Sequence, residues 1–328
     1  MKNIQADIKS GNFKQVYLLY GEEAYLKQQY KQNLVKALNP DGDTMNFNHY
    51  EGKGIDVKQL IDLCETMPFF AERRVVLLED TGFFKNKCEE LADYMKELPD
   101  YLYLVFAETE VDKRNRMYKA VKACGSIAEF IRQDEKTLMR WAAGILGKAG
   151  KKITQRDMEL LLTKTGTDMG NLRMEMEKLI SYTEGRDVVT AEDIEEICTT
   201  QTTNRIFDMV RAVTEKNQKR ALELYYDLLT LKEPPMRILF LLAKQYRQLL
   251  LAKQFAAAGL AQTEIASKLG VPGFVVRNIT TCARAYTISE LEQAVKDFVD
   301  AEESVKTGRL EDKLSVELLI IKYSSKLK

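Results

Sequence analysis

Histidine is almost missing from this chain of 328 residues. His49 stands alone, which excludes a His-centred catalytic triad and a His-rich metal site. The five cysteines, Cys64, Cys88, Cys124, Cys198 and Cys282, are scattered, with no CxxC pair and no neighbouring histidine, and read as free thiols of a reducing compartment. Neither sign of charge prevails: 49 basic side chains face 49 acidic ones. That excludes a general polyanion-binding surface, so contact with nucleic acid would need a local patch or partner chains. No apolar run reaches the roughly 18 residues that span a bilayer, and the start, "MKNIQADIKSGNFKQ", lacks the apolar stretch of a signal peptide. A soluble, cytosolic chain without metal, cofactor or membrane partner is expected. There is no low-complexity segment and no repeat of solenoid period.

What is present suggests two or three domains, since the length exceeds what one core usually supports. In the first third, strand-like and helix-like segments alternate. "QVYLLYG" (15–21) is an apolar run closed by glycine, and "EEAYLKQQYKQNLVKAL" follows with apolar residues at helical spacing. "DTMNFNHYEG" reads as a strand, "GIDVKQLIDLCETM" as a helix and "RRVVLLED" as a strand. A charged helix around "CEELADYMKEL" and the strands "YLYLVFAET" and "GSIAEF" complete an α/β domain with a mainly parallel sheet covered on both faces. Short helices follow, with threonines placed as N-caps in "KKIT" and "DVVT". The polar run "TTQTTN" (199–204) is the expected linker, and beyond it the pattern is helical apart from a break at Pro234 and Pro235. The division is thus 1–130, 131–203 and 204–328.

No catalytic constellation emerges. "VYLLYGEEAYLKQQ" has the strand, turn and helix of a P-loop, but Glu22 and Glu23 replace the further glycines and the Lys-Ser/Thr pair that cradle phosphate and magnesium. Carboxylates at a helix start satisfy its free amides and repel a triphosphate. Glu79 and Asp80, closing "VVLLED", then read as solvated carboxylates at a sheet edge. "TEIASKLGVPGFVVRNI" has the outline of a helix-turn-helix, with Ala266, Gly270 and Arg277. Its second helix, however, carries Phe274, Val275, Val276 and Ile279, which a bundle would bury.

Phe69 and Phe70 lie between Pro68 and the charged triplet Glu72–Arg74. Pro68 disfavours helical backbone at Met67, so the rings fall in a turn. Adjacent residues point in different directions, and burying both in one core is awkward. Two readings stand: core packing, or anchors for a pocket on a partner.

"VYLLYGEEAYLKQQ", "ETMPFFAERRVVLLED" and "TGTDMGNLRMEMEKLISY" together resemble the delta-subunit family of the bacterial DNA polymerase III clamp loader, in a form similar to those of Gram-positive bacteria. The likeness runs across essentially the whole chain. It implies an AAA+-like α/β domain without a functional P-loop, a small helical lid domain and an all-α collar domain. It also implies a non-catalytic subunit of the DNA polymerase III holoenzyme, cytoplasmic and associated with the nucleoid and replisome. The implied partners are the sliding clamp (beta), the tau/gamma ATPase subunits, delta-prime through the collar, and primed DNA. The family's clamp-opening element falls on Pro68, Phe69 and Phe70, with Met67 beside them, and Phe69 stands where leucine is more usual. The family's "LRxExEKL" pattern falls on Gly170, Leu172, Arg173, Glu175, Glu177, Lys178 and Leu179. Leu172, Met176 and Leu179 share a helical face suited to a core, and Arg173 and Glu177 are spaced to pair. The alternative is a degenerate AAA+ DNA-binding or regulatory protein that uses the helices near 263–281.

The full chain is expected to show no saturable ATP binding in calorimetry, because the turn at Gly21 lacks both the phosphate-binding lysine and the magnesium-binding hydroxyl. Binding that is abolished by substitutions near Gly21 would contradict this.

Overall fold

A computed structural model describes residues 2–199, 202–271 and 273–325. The chain forms two compact units, 1–133 and 134–328. The first runs α1 (Lys2–Ser10), β1 (Val16–Tyr20), α2 (Ala24–Leu38), β2 (Phe47–Glu51), α3 (Val57–Glu65), β3 (Arg74–Glu79), α4 (Glu89–Tyr94), β4 (Leu102–Glu108), α5 (Arg116–Cys124) and β5 (Ser126–Glu129). The five strands form one sheet of order β2-β3-β4-β1-β5, with every pairing parallel.

Alternation along the strands explains the layers. Val16, Leu18 and Tyr20 of β1, Val76 and Leu78 of β3, and Leu102, Leu104 and Phe106 of β4 pack with Leu60, Leu91, Met117 and Val121 from α3, α4 and α5. The intervening Tyr17, Leu19, Val75, Leu77 and Val105 pack with Ile4 of α1 and with Leu34 and Leu38 of α2. Each central strand is buried on both faces and therefore reads as an unbroken apolar run. Within the first unit, α1 and α5 had no counterpart in the sequence reading.

The second unit contains α6 (Glu135–Lys148), β6 (Lys152–Ile153), α7 (Gln155–Thr165), α8 (Met169–Tyr182), β7 (Val188–Val189) and α9 (Ala191–Ile197). It continues with α10 (Thr202–Thr214), α11 (Gln218–Thr230), α12 (Pro235–Ala257), α13 (Gln262–Leu269), α14 (Gly273–Ala283), α15 (Ile288–Lys306) and α16 (Asp312–Ser324). The segment is helical as expected, except that β6 and β7 pair as a two-stranded parallel sheet. Thr154 caps α7 and Thr190 caps α9 in a reciprocal capping box with Asp193. Helices α6 to α9 surround Leu146, Leu161, Leu172 and Leu179, whereas α10 to α16 surround Tyr225, Leu242, Tyr246 and Phe298. Of the expected linker, Thr200 and Gln201 lie outside the described residues, and Thr202–Asn204 already belong to α10 rather than to a non-helical linker.

The turn after β1 is filled by the protein itself. Gly21 has φ +127°, and a Cβ there would lie 2.2 Å from the Phe130 carbonyl oxygen. Phe130 N–H donates to Tyr20 O at 2.7 Å, and Glu23 N–H donates to Phe130 O at 3.0 Å. Both the left-handed backbone and this close approach require glycine. Gly21→Ala is therefore expected to destabilise the first unit by about 2 kcal/mol or more, read as a lower denaturant midpoint for its unfolding transition.

Candidate partner-docking turn

In a parallel sheet all strands begin at one edge and end at the other. Gly21, Glu79, Asp80 and Glu108 lie at the carboxyl edge, where ligands of open α/β sheets usually bind. There Lys31 Nζ bonds Glu79 Oε2 and His49 Nε2 lies 2.9 Å from Glu79 Oε1, so these groups satisfy one another. Glu108 is buried and accepts from the N–H and Oγ1 of Thr81, while burial raises its pKa above the usual carboxylate range. Among the described residues no group of three or more His, Cys, Asp or Glu could hold a metal ion.

The Phe69–Phe70 turn occupies the opposite, amino edge, between α3 and β3. Helix α3 opens on Asp56, whose carboxylate accepts from Lys58 and Gln59 N–H. It ends at Glu65, just ahead of Pro68. The last carbonyls of a helix lack partners within it, and side chains from neighbouring strand starts supply them here. Tyr101 OH donates to Glu65 O at 2.8 Å and Arg74 Nε to Thr66 O at 2.9 Å. A second Arg74 nitrogen reaches Met67 O at 3.4 Å and a third reaches Asn48 Oδ1 at 3.1 Å. Arg74 is only 5% exposed. Its neighbour Arg73 instead lies over the rings of Phe13 and Tyr103, 5.2 and 5.4 Å from their centroids.

Past the helix end, Asn46 takes over. This side chain, 3% exposed, accepts from Phe69 N–H at 2.6 Å and donates to Phe69 O at 2.8 Å. Its amide also donates to Asp43, and that bond, with the Met45 N–H, lowers the Asp43 pKa below the usual carboxylate range. The result is a rigid mount for exposed rings. Phe69 is 57% exposed, Phe70 96% and Met67 75%. The two rings meet edge to face, centroids 4.5 Å apart. Phe70 has φ +50°, a left-handed backbone uncommon for a residue with a bulky side chain. Core packing, one of the two readings open from sequence, does not occur.

The sequence reading missed Asn46, Arg74, Asp43 and Tyr101. A charged residue at the head of the apolar run "RVVLLE" was the available signal, because an arginine buried at a strand start needs several acceptors nearby.

The other expected residues lie in the second unit, on α8. Asp168 caps that helix through Asn171 N–H, and Gly170 sits in its first turn. Leu172, Met176 and Leu179 are buried, and Arg173 Nε bonds Glu177 Oε1 at 2.7 Å. Glu175 is buried, pairs with Lys178 and accepts from Thr199 N–H at 3.1 Å. The pattern thus ties the end of α9 to α8. In the helix-turn-helix candidate, Val276 and Ile279 of α14 are buried and Arg277 pairs with Glu159 at 3.5 Å. Pro272 and the side chain of Phe274 lie outside the described residues.

Two family models match: "DNA polymerase III, delta subunit" over residues 17–130, and "DNA polymerase III delta subunit, C-terminal domain" over residues 203–323. The DNA polymerase III subunit delta of Bacillus subtilis is 26% identical over 332 residues, covering 97% of this chain and 95% of the relative. The probable DNA polymerase III subunit delta of Aquifex aeolicus is 22% identical, covering 78% of this chain and 75% of the relative. The solved structure of the Bacillus subtilis DNA clamp loader delta protein shares the fold, with a TM-score of 0.67 at 24% identity over 99% of each chain. With both its α/β and its C-terminal helical regions matched in order, the chain belongs to the delta-subunit family of DNA polymerase III.

Proposed function

We propose that this chain binds the sliding clamp through Phe69 and Phe70, with Met67 and Pro68 beside them, and stabilises the open ring for loading onto primed DNA. The observation that carries the reading is the pair of exposed rings on a turn whose backbone is fixed by buried side chains. Rigid aromatic anchors are the usual centre of a protein interface. Rings that fit a pocket better in the open clamp than in the closed one shift the clamp's equilibrium by that difference in affinity. Nucleotide-driven movement of the tau/gamma ATPase subunits would expose the turn to the clamp. The chain itself acts without catalysis, as an α/β domain (1–130), a lid (131–203) and a collar (204–328).

The collar assignment has its own support. Leu314, Leu318 and Ile321 of α16 are spaced to share one helical face and are all exposed, with Tyr226 of α11 bonded nearby to Glu317. An exposed apolar stripe of this kind suits packing against the collar helices of other loader subunits, delta-prime among them.

Two measurements test the reading. Replacing both Phe69 and Phe70 with alanine is expected to cost about 4 kcal/mol of clamp affinity, about a thousandfold, taking about 2 kcal/mol per anchor. Thermal unfolding should be unchanged, since neither ring packs in the core. Undiminished clamp binding in surface plasmon resonance would refute the anchor role. Placing glutamate at both Leu314 and Leu318 is expected to weaken assembly with the other loader subunits by about tenfold or more in size-exclusion titration. Clamp binding by the free chain should remain as it was.

A further inference from the structure

The Asn46 carboxamide behaves toward Phe69 as a neighbouring strand would. Its oxygen receives the Phe69 N–H, and its nitrogen serves both the Phe69 carbonyl and Asp43. One side chain therefore satisfies both backbone groups of the residue that carries the first ring. Arg74 does the same for the carbonyls of Thr66 and Met67. Phe70 follows directly, with its left-handed backbone and nearly full exposure. Neither ring contributes to the core, so core packing does not explain why a buried amide 23 residues away is devoted to this turn. Without Asn46 the Phe69 backbone would bond to water and the turn would sample many conformations. Docking would then bear the full entropic cost of ordering it.

We propose that Asn46, oriented by Asp43, is a positioning residue that holds the Phe69–Phe70 turn in its docking conformation before the clamp arrives. Arg74 fixes the helix end on which the turn stands. The proposal rests on the reading of the two rings as clamp anchors. Affinity then depends on the fraction of molecules whose turn is already formed, and loss of the mount lowers apparent affinity by that fraction.

Three variants of the full chain test this: Asn46→Ala, Asp43→Ala, and the double ring variant Phe69→Ala/Phe70→Ala. For each, clamp affinity is measured by surface plasmon resonance and hydrogen–deuterium exchange is followed on the peptide that carries the Phe69 amide. Asn46→Ala is expected to bind the clamp about tenfold more weakly, as loss of two hydrogen bonds implies, with faster exchange at Phe69. Asp43→Ala, on the surface, should show the same two changes at roughly threefold. Wild-type affinity in Asn46→Ala, alongside lost binding in the double ring variant, would overturn the positioning role while sparing the anchor reading. So would weakened binding with unchanged exchange at Phe69. Retained binding by the double ring variant would overturn both. If Asn46→Ala does not fold, Asp43→Ala decides by the same pair of readouts, and wild-type values for both would overturn the proposal.

Discussion

The fold of the first unit depends on the parallel hydrogen-bond ladder that joins β2, β3, β4, β1 and β5. Parallel pairing makes the two edges of the sheet chemically unlike. Strand ends gather at one edge and strand starts at the other, and each connection must cross from the first to the second. Here the carboxyl edge is closed by protein groups: Phe130 backbone fills the space at Gly21, and Lys31 and His49 both bond Glu79. The amino edge is different. Residues that precede β2 and β4, namely Asn46 and Tyr101, or open β3, namely Arg74, converge on the end of α3 and the turn after it.

Polar side chains at that edge solve a problem created by stopping α3 early. Helix ends leave carbonyls unpaired, and a turn that leads into a buried strand cannot satisfy all its groups with water. Arg74 and Asn46 meet this need from inside the domain, which leaves the outward side of the turn free of polar obligations. The apolar side chains Met67, Phe69 and Phe70 can occupy it as a result.

Much of the architecture was legible in the sequence because the signals are local. "RRVVLLED" and "YLYLVFAET" are rich in branched and aromatic residues, and the alternation of strand and helix implied a parallel sheet. Helix α5, "RMYKAVKAC", carries a weak sequence signal, because Met117 and Val121 are its only buried positions. The β6–β7 pairing was missed because two-residue strands fall below any periodic window. At the candidate site, Pro68 and the paired rings could be read, but not their exposure, which depends on what the rest of the domain leaves uncovered. Asn46 could not be read at all. Its bond to Phe69 spans 23 residues, and an asparagine ahead of a strand resembles any other turn residue.

The equality of acidic and basic residues acquires a second meaning beside the exposed turn. With no formal net charge, copies of this chain meet without long-range electrostatic repulsion. Each carries an exposed apolar tip, and exposed apolar surface attracts unselective hydrophobic contacts. Colloidal behaviour of the free chain therefore rests on whether this apolar tip is covered, since the charge balance does nothing to keep copies apart.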